Sequence, residues 1–158
     1  MSAHPLIVGL GGTTRIGSTT ERALRIAMSR AEALGARTRL FTSTDLNLAH
    51  FDPNTAERGP QEIALVEALR QADGVIIATP SYHGSISGMV KNALDYLHGE
   101  WNRKPVGFVN WGGNSGGTRA QTALRTVVGA LGLVLTKGNI EINRPQMQLV
   151  DGAFVPNE

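Results

Sequence analysis

Leu6-Ile7-Val8-Gly9-Leu10-Gly11-Gly12-Thr13-Thr14-Arg15-Ile16-Gly17-Ser18-Thr19-Thr20 is the stretch on which the reading of the fold turns. Leu6 to Leu10 is a short apolar run that ends in glycines, the pattern of a strand buried on both faces. Ser18 begins a helix, because Leu24, Ala27, Met28, Ala31 and Leu34 recur at helical spacing and Gly35 can end it. A buried strand, a glycine-rich loop and a helix N-terminus in succession open an alternating α/β pattern.

The alternation continues along the chain. Thr38 to Thr42 reads as a second strand, and residues 43–59 as a long polar connection. Pro60 stands where a first helical residue is favoured, and Ile63, Val66, Leu69 and Arg70 carry that helix to about Ala72. Val75 to Thr79 is a third strand. Ser87 caps a third helix through Met89, Val90, Ala93, Leu94 and Leu97. Val106 to Asn110 is a fourth strand. Ala120, Leu124, Val127, Val128 and Leu131 mark a fourth helix, and Leu133 to Thr136, with Ile140 as an optional extension, a fifth strand. This predicts a single domain over residues 1–158, with a parallel sheet covered on both faces. Ligands in such sheets sit outside the carboxyl ends of the strands.

Three loops leave carboxyl ends with unusual chemistry. In the first, glycines let the backbone turn its N–H groups toward a ligand, the helix dipole favours an anion, and hydroxyls and Arg15 add donors. Gly12 to Thr19 fits the P-loop pattern except that Ser18 replaces the lysine that reaches a triphosphate, which argues against an NTPase. The dinucleotide fingerprint starts with Gly9 and Gly11 but meets Thr14 at its third glycine, and no acid ends the second strand. A cradle for one phosphate monoester fits best. Ser18 to Glu21 also reads as a capping box, which is compatible with a cradle. Pro80-Ser81-Tyr82-His83-Gly84-Ser85-Ile86-Ser87-Gly88 follows the third strand and Gly112-Gly113-Asn114-Ser115-Gly116-Gly117 the fourth. Small residues there permit backbone groups to approach the edge of a flat heteroaromatic ring. The three loops together describe a mononucleotide site.

Composition narrows the function further. The chain has no cysteine, which excludes disulfides, iron–sulfur clusters and thiolate zinc sites. The histidines at 4, 50, 83 and 98 show no metal-ligand spacing, so no metal is expected. A net charge of +2 is too small to argue for nucleic acid. No apolar run is long enough to span a bilayer, and the N-terminus lacks a signal-peptide pattern, so a cytoplasmic protein is expected. Residues 1–40 hold six arginines against Glu21 and Glu32, a balance that suits either a solvated helix face or attraction of an anionic nucleotide.

Gly11–Ser18, Thr79–Leu97 (TPSYHGSISGMVKNALDYL) and Gly112–Arg125 (GGNSGGTRAQTALR) resemble the NADPH-dependent FMN reductase family, in the family's order and across about residues 6–140. The resemblance implies a flavodoxin-like three-layer sandwich, a five-stranded parallel sheet with helices on both faces. It implies FMN bound non-covalently across the three loops. The phosphate contacts would be Thr13, Arg15, Ser18 and Thr20, with Thr19 beside them. The ring contacts would be Pro80, Ser81, Tyr82, His83 and Gly84, with Gly112, Gly113, Asn114, Ser115 and Gly116 along one edge. Lys91, Asn92 and Asp95 would serve helix and subunit packing. Ser81 and His83 replace the Glu and Asn of many members, and Thr20 replaces an Asn, which bears on substrate preference.

The implied reaction is hydride transfer from NADPH or NADH to FMN, then onward to free flavin or a quinone, azo or nitro acceptor, with a flavin-dependent monooxygenase as one recipient. No catalytic acid or base is needed. The rival is a flavodoxin-type one-electron carrier, but such carriers are usually strongly acidic and lack an arginine in the phosphate loop. Residues 149–158 leave no room for the fifth helix such a sheet normally carries. An under-covered face marks an interface, so a homodimer or homotetramer is expected.

Overall fold

The computed structural model describes residues 4–113, 115, 117–143, 146–151 and 153–157. Strands and helices alternate as β1 (Leu6–Gly11), α1 (Thr19–Ala33), β2 (Arg37–Phe41), α2 (Pro60–Gln71), β3 (Gly74–Pro80), α3 (Gly88–Asp95), β4 (Pro105–Gly112) and α4 (Thr118–Ala130). Four short strands follow: β5 (Val134–Leu135), β6 (Ile140–Asn143), β7 (Met147–Val150) and β8 (Ala153–Pro156). The main sheet is parallel with order β2-β1-β3-β4-β5, and β6 also pairs with β4. This is the flavodoxin-like α/β fold, and the order places the carboxyl ends of β1, β3 and β4 side by side.

The fifth strand is not continuous. β5 pairs with Pro105 and Val106, and β6 with Val109 to Gly112. Thr136 N–H still donates to the Val106 carbonyl at 2.9 Å, residues 137–139 leave the ladder, and the Asn139 Oδ1 accepts the Phe108 N–H there at 3.2 Å. A side chain thus replaces the missing main-chain acceptor, since a buried strand N–H must be satisfied.

Two apolar layers sandwich the sheet. On one face Leu65, Leu69, Val90, Leu94, Leu124 and Val128 of α2, α3 and α4 pack on Val8, Leu10, Ile77 and Phe108. The apolar stripe of α2 differs from the expected one: Leu65 is buried, whereas Ile63 is 57% exposed. On the other face α1 stands alone, with Ala23, Leu24 and Met28 against Ala78, Val109 and Ile142. Gly9 permits this, because a Cβ there would lie 2.6 Å from the Met28 sulfur.

The C-terminal segment supplies no helix to that second face but an antiparallel hairpin, β7 with β8. Phe154 lies 5.5 Å from Trp111, ring centre to ring centre, and joins the α1 layer. The cover is partial. A groove of about 440 Å³ remains between α1 and the β4–β6 edge, lined by Ile26, Leu34, Val109, Ile140, Ile142 and Phe154 among others. Leu34, which continues the apolar stripe of α1 in sequence, is 72% exposed at its rim.

Candidate nucleotide site

Gly11 carries the end of β1 past its neighbour. Its φ is 142°, and a Cβ would lie 1.9 Å from the Ala78 oxygen, so no side chain fits. Gly12 N–H then donates to the Ala78 carbonyl at 3.0 Å. Beyond it the chain folds on itself. Arg15 N–H donates to the Thr13 hydroxyl at 3.1 Å, and Ser18 N–H to the Arg15 carbonyl. Ser18 is the N-cap of α1, and its hydroxyl accepts the Glu21 N–H at 3.2 Å. The return bond of a capping box is displaced by one residue, because Glu21 Oε2 accepts from Gly17 N–H at 3.0 Å instead of from Ser18.

What remains is a set of donors without acceptors. Among the described residues nothing accepts from the N–H groups of Thr13, Thr14, Ile16, Thr19 and Thr20. The Arg15 side chain is exposed and has no partner among them either. Unused N–H groups at a helix N-terminus, with one guanidinium beside them, suit a compact dianion.

The second loop is a tight hairpin. Tyr82 and Ser85 exchange two main-chain hydrogen bonds of 2.9 Å, and His83 and Gly84 between them have φ of 49° and 80°. Positive φ at both central residues is the requirement of a type I′ turn, which Gly meets without cost and His adopts more often than most other side chains. The turn projects Tyr82, 51% exposed. Its base is fixed by three bonds. Ser81 N–H donates to the Trp111 carbonyl at 3.2 Å, Ser87 N–H to the Thr79 hydroxyl at 3.0 Å, and the Ser87 hydroxyl to the Gly12 carbonyl at 3.5 Å. The last ties the second loop to the first. Pro80 ends β3 and Gly112 ends β4, opposite neighbours in the ladder.

The third loop runs from Gly113 to Gly117. Ser115 accepts Thr118 N–H and Oγ1 at 2.9 and 2.6 Å, which seats the first turn of α4. Gly117, the N-cap, has φ of 89° and packs directly on Asn110, where a Cβ would lie 2.9 Å from the asparagine Cβ. Asn114 and Gly116 lie outside the described residues. Arg119 packs over Gly84, where a Cβ would lie 3.4 Å from its Cδ, and so joins the second and third loops.

Lys91, Asn92 and Asp95 occupy the outer flank of α3. Lys91 pairs with Asp95 at 2.6 Å. Asn92 holds the 43–59 connection, donating to the Ala49 carbonyl at 2.8 Å and accepting Phe51 N–H at 2.9 Å.

Two residues at the site escaped the sequence reading. Arg119 stands inside the quoted 112–125 segment, but nothing local reveals that Gly84 lies against it. Asn110 was read only as the end of an apolar strand. The available signal was a primary amide at a position whose strand neighbours on the same face, Val106 and Phe108, are core residues.

A profile described as NADPH-dependent FMN reductase matches residues 5–143. An FMN-dependent NADPH-azoreductase of Staphylococcus aureus is 32% identical over 129 residues, 76% of this chain and 67% of that one. An NAD(P)H-dependent FMN reductase of Schizosaccharomyces pombe is 38% identical over 85 residues. That match spans 54% of this chain and only 42% of the yeast protein. Among solved structures, the flavoenzyme NAD(P)H:(acceptor) oxidoreductase FerB of Paracoccus denitrificans superposes with a TM-score of 0.73 at 23% identity, covering 87% of this chain and 79% of its own. An NADH:FMN oxidoreductase in its apo form also gives 0.73, at 24% identity, with 90% and 77% covered. Both share the fold.

Proposed function

The chain belongs to the NADPH-dependent FMN reductase family, and on that premise we propose that it holds FMN non-covalently across its three loops and reduces it with NADPH or NADH. Electrons then pass to free flavin or to a quinone, azo or nitro acceptor. The observation that carries this reading is the set of N–H groups, with Arg15 beside them, that have no partner among the described residues at the start of α1, aligned with two further loops at the ends of adjacent strands.

The residues divide the work. Thr13, Arg15, Ser18, Thr19 and Thr20 surround the phosphate, where the helix dipole offsets only about half a charge and Arg15 supplies a full one. Ser18 acts there through its hydroxyl proton, since its oxygen accepts from Glu21 N–H and its own N–H is already given to the Arg15 carbonyl. Pro80, Ser81, Tyr82, His83 and Gly84 form one wall of the ring site, with Tyr82 as an exposed aromatic surface. Gly112, Gly113 and Ser115 form the edge opposite. Bound FMN supplies hydride acceptance and donation; the protein supplies position and electrostatics. No side chain has to move a proton in this scheme.

Reconstituting the purified chain with FMN and titrating it anaerobically with NADPH tests the reading. Loss of the oxidised flavin spectrum is expected. A spectrum unchanged by both NADPH and NADH would instead support a one-electron carrier. The same reading extends to a single-domain cytoplasmic homodimer or homotetramer, with the groove beside α1 covered by another subunit. A flavin-dependent monooxygenase is then one recipient of the reduced flavin.

A further inference from the structure

The side of β4 that faces α4 carries Val106, Phe108 and then Asn110. The first two belong to the apolar core. Asn110 is wholly buried, and neither its Nδ2 nor its Oδ1 meets a partner among the described residues. An unsatisfied buried amide is destabilising, and an apolar side chain of similar size would not be. Its neighbour in the ladder makes the contrast. Thr79, equally buried, accepts from Ser87 N–H and donates to the Pro80 carbonyl. The amide therefore sits at the end of a satisfied polar seam that begins at Gly12 and runs through Ser87 and Thr79. One turn into α4, the Gln121 Nε2 is buried without a partner among the described residues as well.

Asn110 lies beneath one particular spot. The Gly117 backbone packs on its Cβ, and Gly117 is both the end of the third loop and the N-cap of α4, a cap with no side chain to satisfy the helix. We infer that Asn110 is a positioning residue for the third loop: its buried amide, unpartnered among the described residues, pairs with the peptide group of Gly117, the loop end that packs on it, once a flavin ring rests against that loop. The inference depends on the flavin-binding reading given above. It explains why an amide is kept where an apolar residue would stabilise the empty protein. The unmet hydrogen bonds disfavour the ligand-free state and are recovered on binding, so they add to affinity for the ring. The phosphate, held by the first loop, takes no part.

The test is a pair of variants of the full chain, Asn110→Leu and Asn110→Thr. Each is titrated with FMN and with riboflavin, and each is melted without ligand. Asn110→Leu should bind both flavins about tenfold more weakly, the effect expected for losing about one buried hydrogen bond. Its ligand-free melting temperature should equal or exceed that of the wild type. Asn110→Thr, with a hydroxyl that donates and accepts, should recover part of the affinity. Three results would overturn the inference: unchanged flavin affinity in Asn110→Leu, a loss confined to FMN, or a lowered ligand-free melting temperature alongside the lost affinity. The last would make Asn110 an ordinary packing residue. A wild-type chain that takes up neither flavin would overturn the functional reading, and this inference with it.

Discussion

Glu21 pairs with Arg25, one helical turn further on, with 2.8 Å between Oε1 and Nη2. The other oxygen of the same carboxylate accepts from Gly17 N–H. Both oxygens of Glu21 are therefore engaged, and Arg15 is left without a counter-ion among the described residues. Glu21 therefore takes Arg25, not Arg15, as its ion-pair partner.

Arg15→Ala should weaken FMN binding by roughly tenfold to a hundredfold, because charge-assisted hydrogen bonds contribute about 1.5–3 kcal/mol. Riboflavin, which lacks the phosphate, should bind wild type and variant almost equally. Calorimetric titration of both flavins into both proteins measures this. Equal losses for the two ligands would mean that Arg15 shapes the loop.

His83 occupies a position with φ of 49° that asparagine adopts more readily. His83→Asn should therefore preserve the turn and FMN binding while removing the imidazole from that loop. The expected outcome is a changed pH–rate profile or flavin reduction potential at unchanged FMN affinity. A profile that superposes on the wild type would reduce His83 to a turn residue.

Tyr96 hydroxyl donates to the Ala49 carbonyl at 3.0 Å and pins the 43–59 connection to α3. Burial raises its pKa above 10.0, nearby Glu62 raises it further, and Arg58, whose guanidinium lies 4.7 Å from the ring centre, opposes them. The unfolded chain thus loses this proton first. Stability from Tyr96 is complete below pH 10.0 and falls as pH rises from there through the folded-state value. Tyr96→Phe should cost about 1 kcal/mol near neutrality and flatten the alkaline fall. Chemical denaturation at a series of pH values reads both effects, and an alkaline limb identical in the variant would refute the assignment.

Ile26, Leu34 and Ile140 present apolar surface around the groove beside α1 and are 39%, 72% and 52% exposed. If another subunit covers them, Ile140→Glu should shift light scattering from an oligomer toward a monomer without altering FMN affinity. A wild-type chain that is monomeric at micromolar concentration would rule out the homo-oligomer.

The alternation of strands and helices, and the loops at their carboxyl ends, were legible in the sequence because their signals are local. Leu6 to Leu10 is apolar on both faces, and Ser18 stands three residues before Glu21. Pro60 stands at a helix start. Each depends on neighbours within a turn of the chain, so residue order alone carries it. The partners of polar groups are settled by residues far apart in sequence that the fold brings together. Arg25 rather than Arg15 takes Glu21 because the helix sets them on one face. Asn139 breaks the fifth strand in two because its amide can replace a main-chain acceptor for Phe108, thirty-one residues away. Phe154 reaches Trp111 only through a hairpin that no periodicity announced. Asn110 is buried on β4 with Gly117, seven residues on, packed against its Cβ. Burial of a polar group is a property of the packed molecule, and it is there that the chemistry of the site was decided.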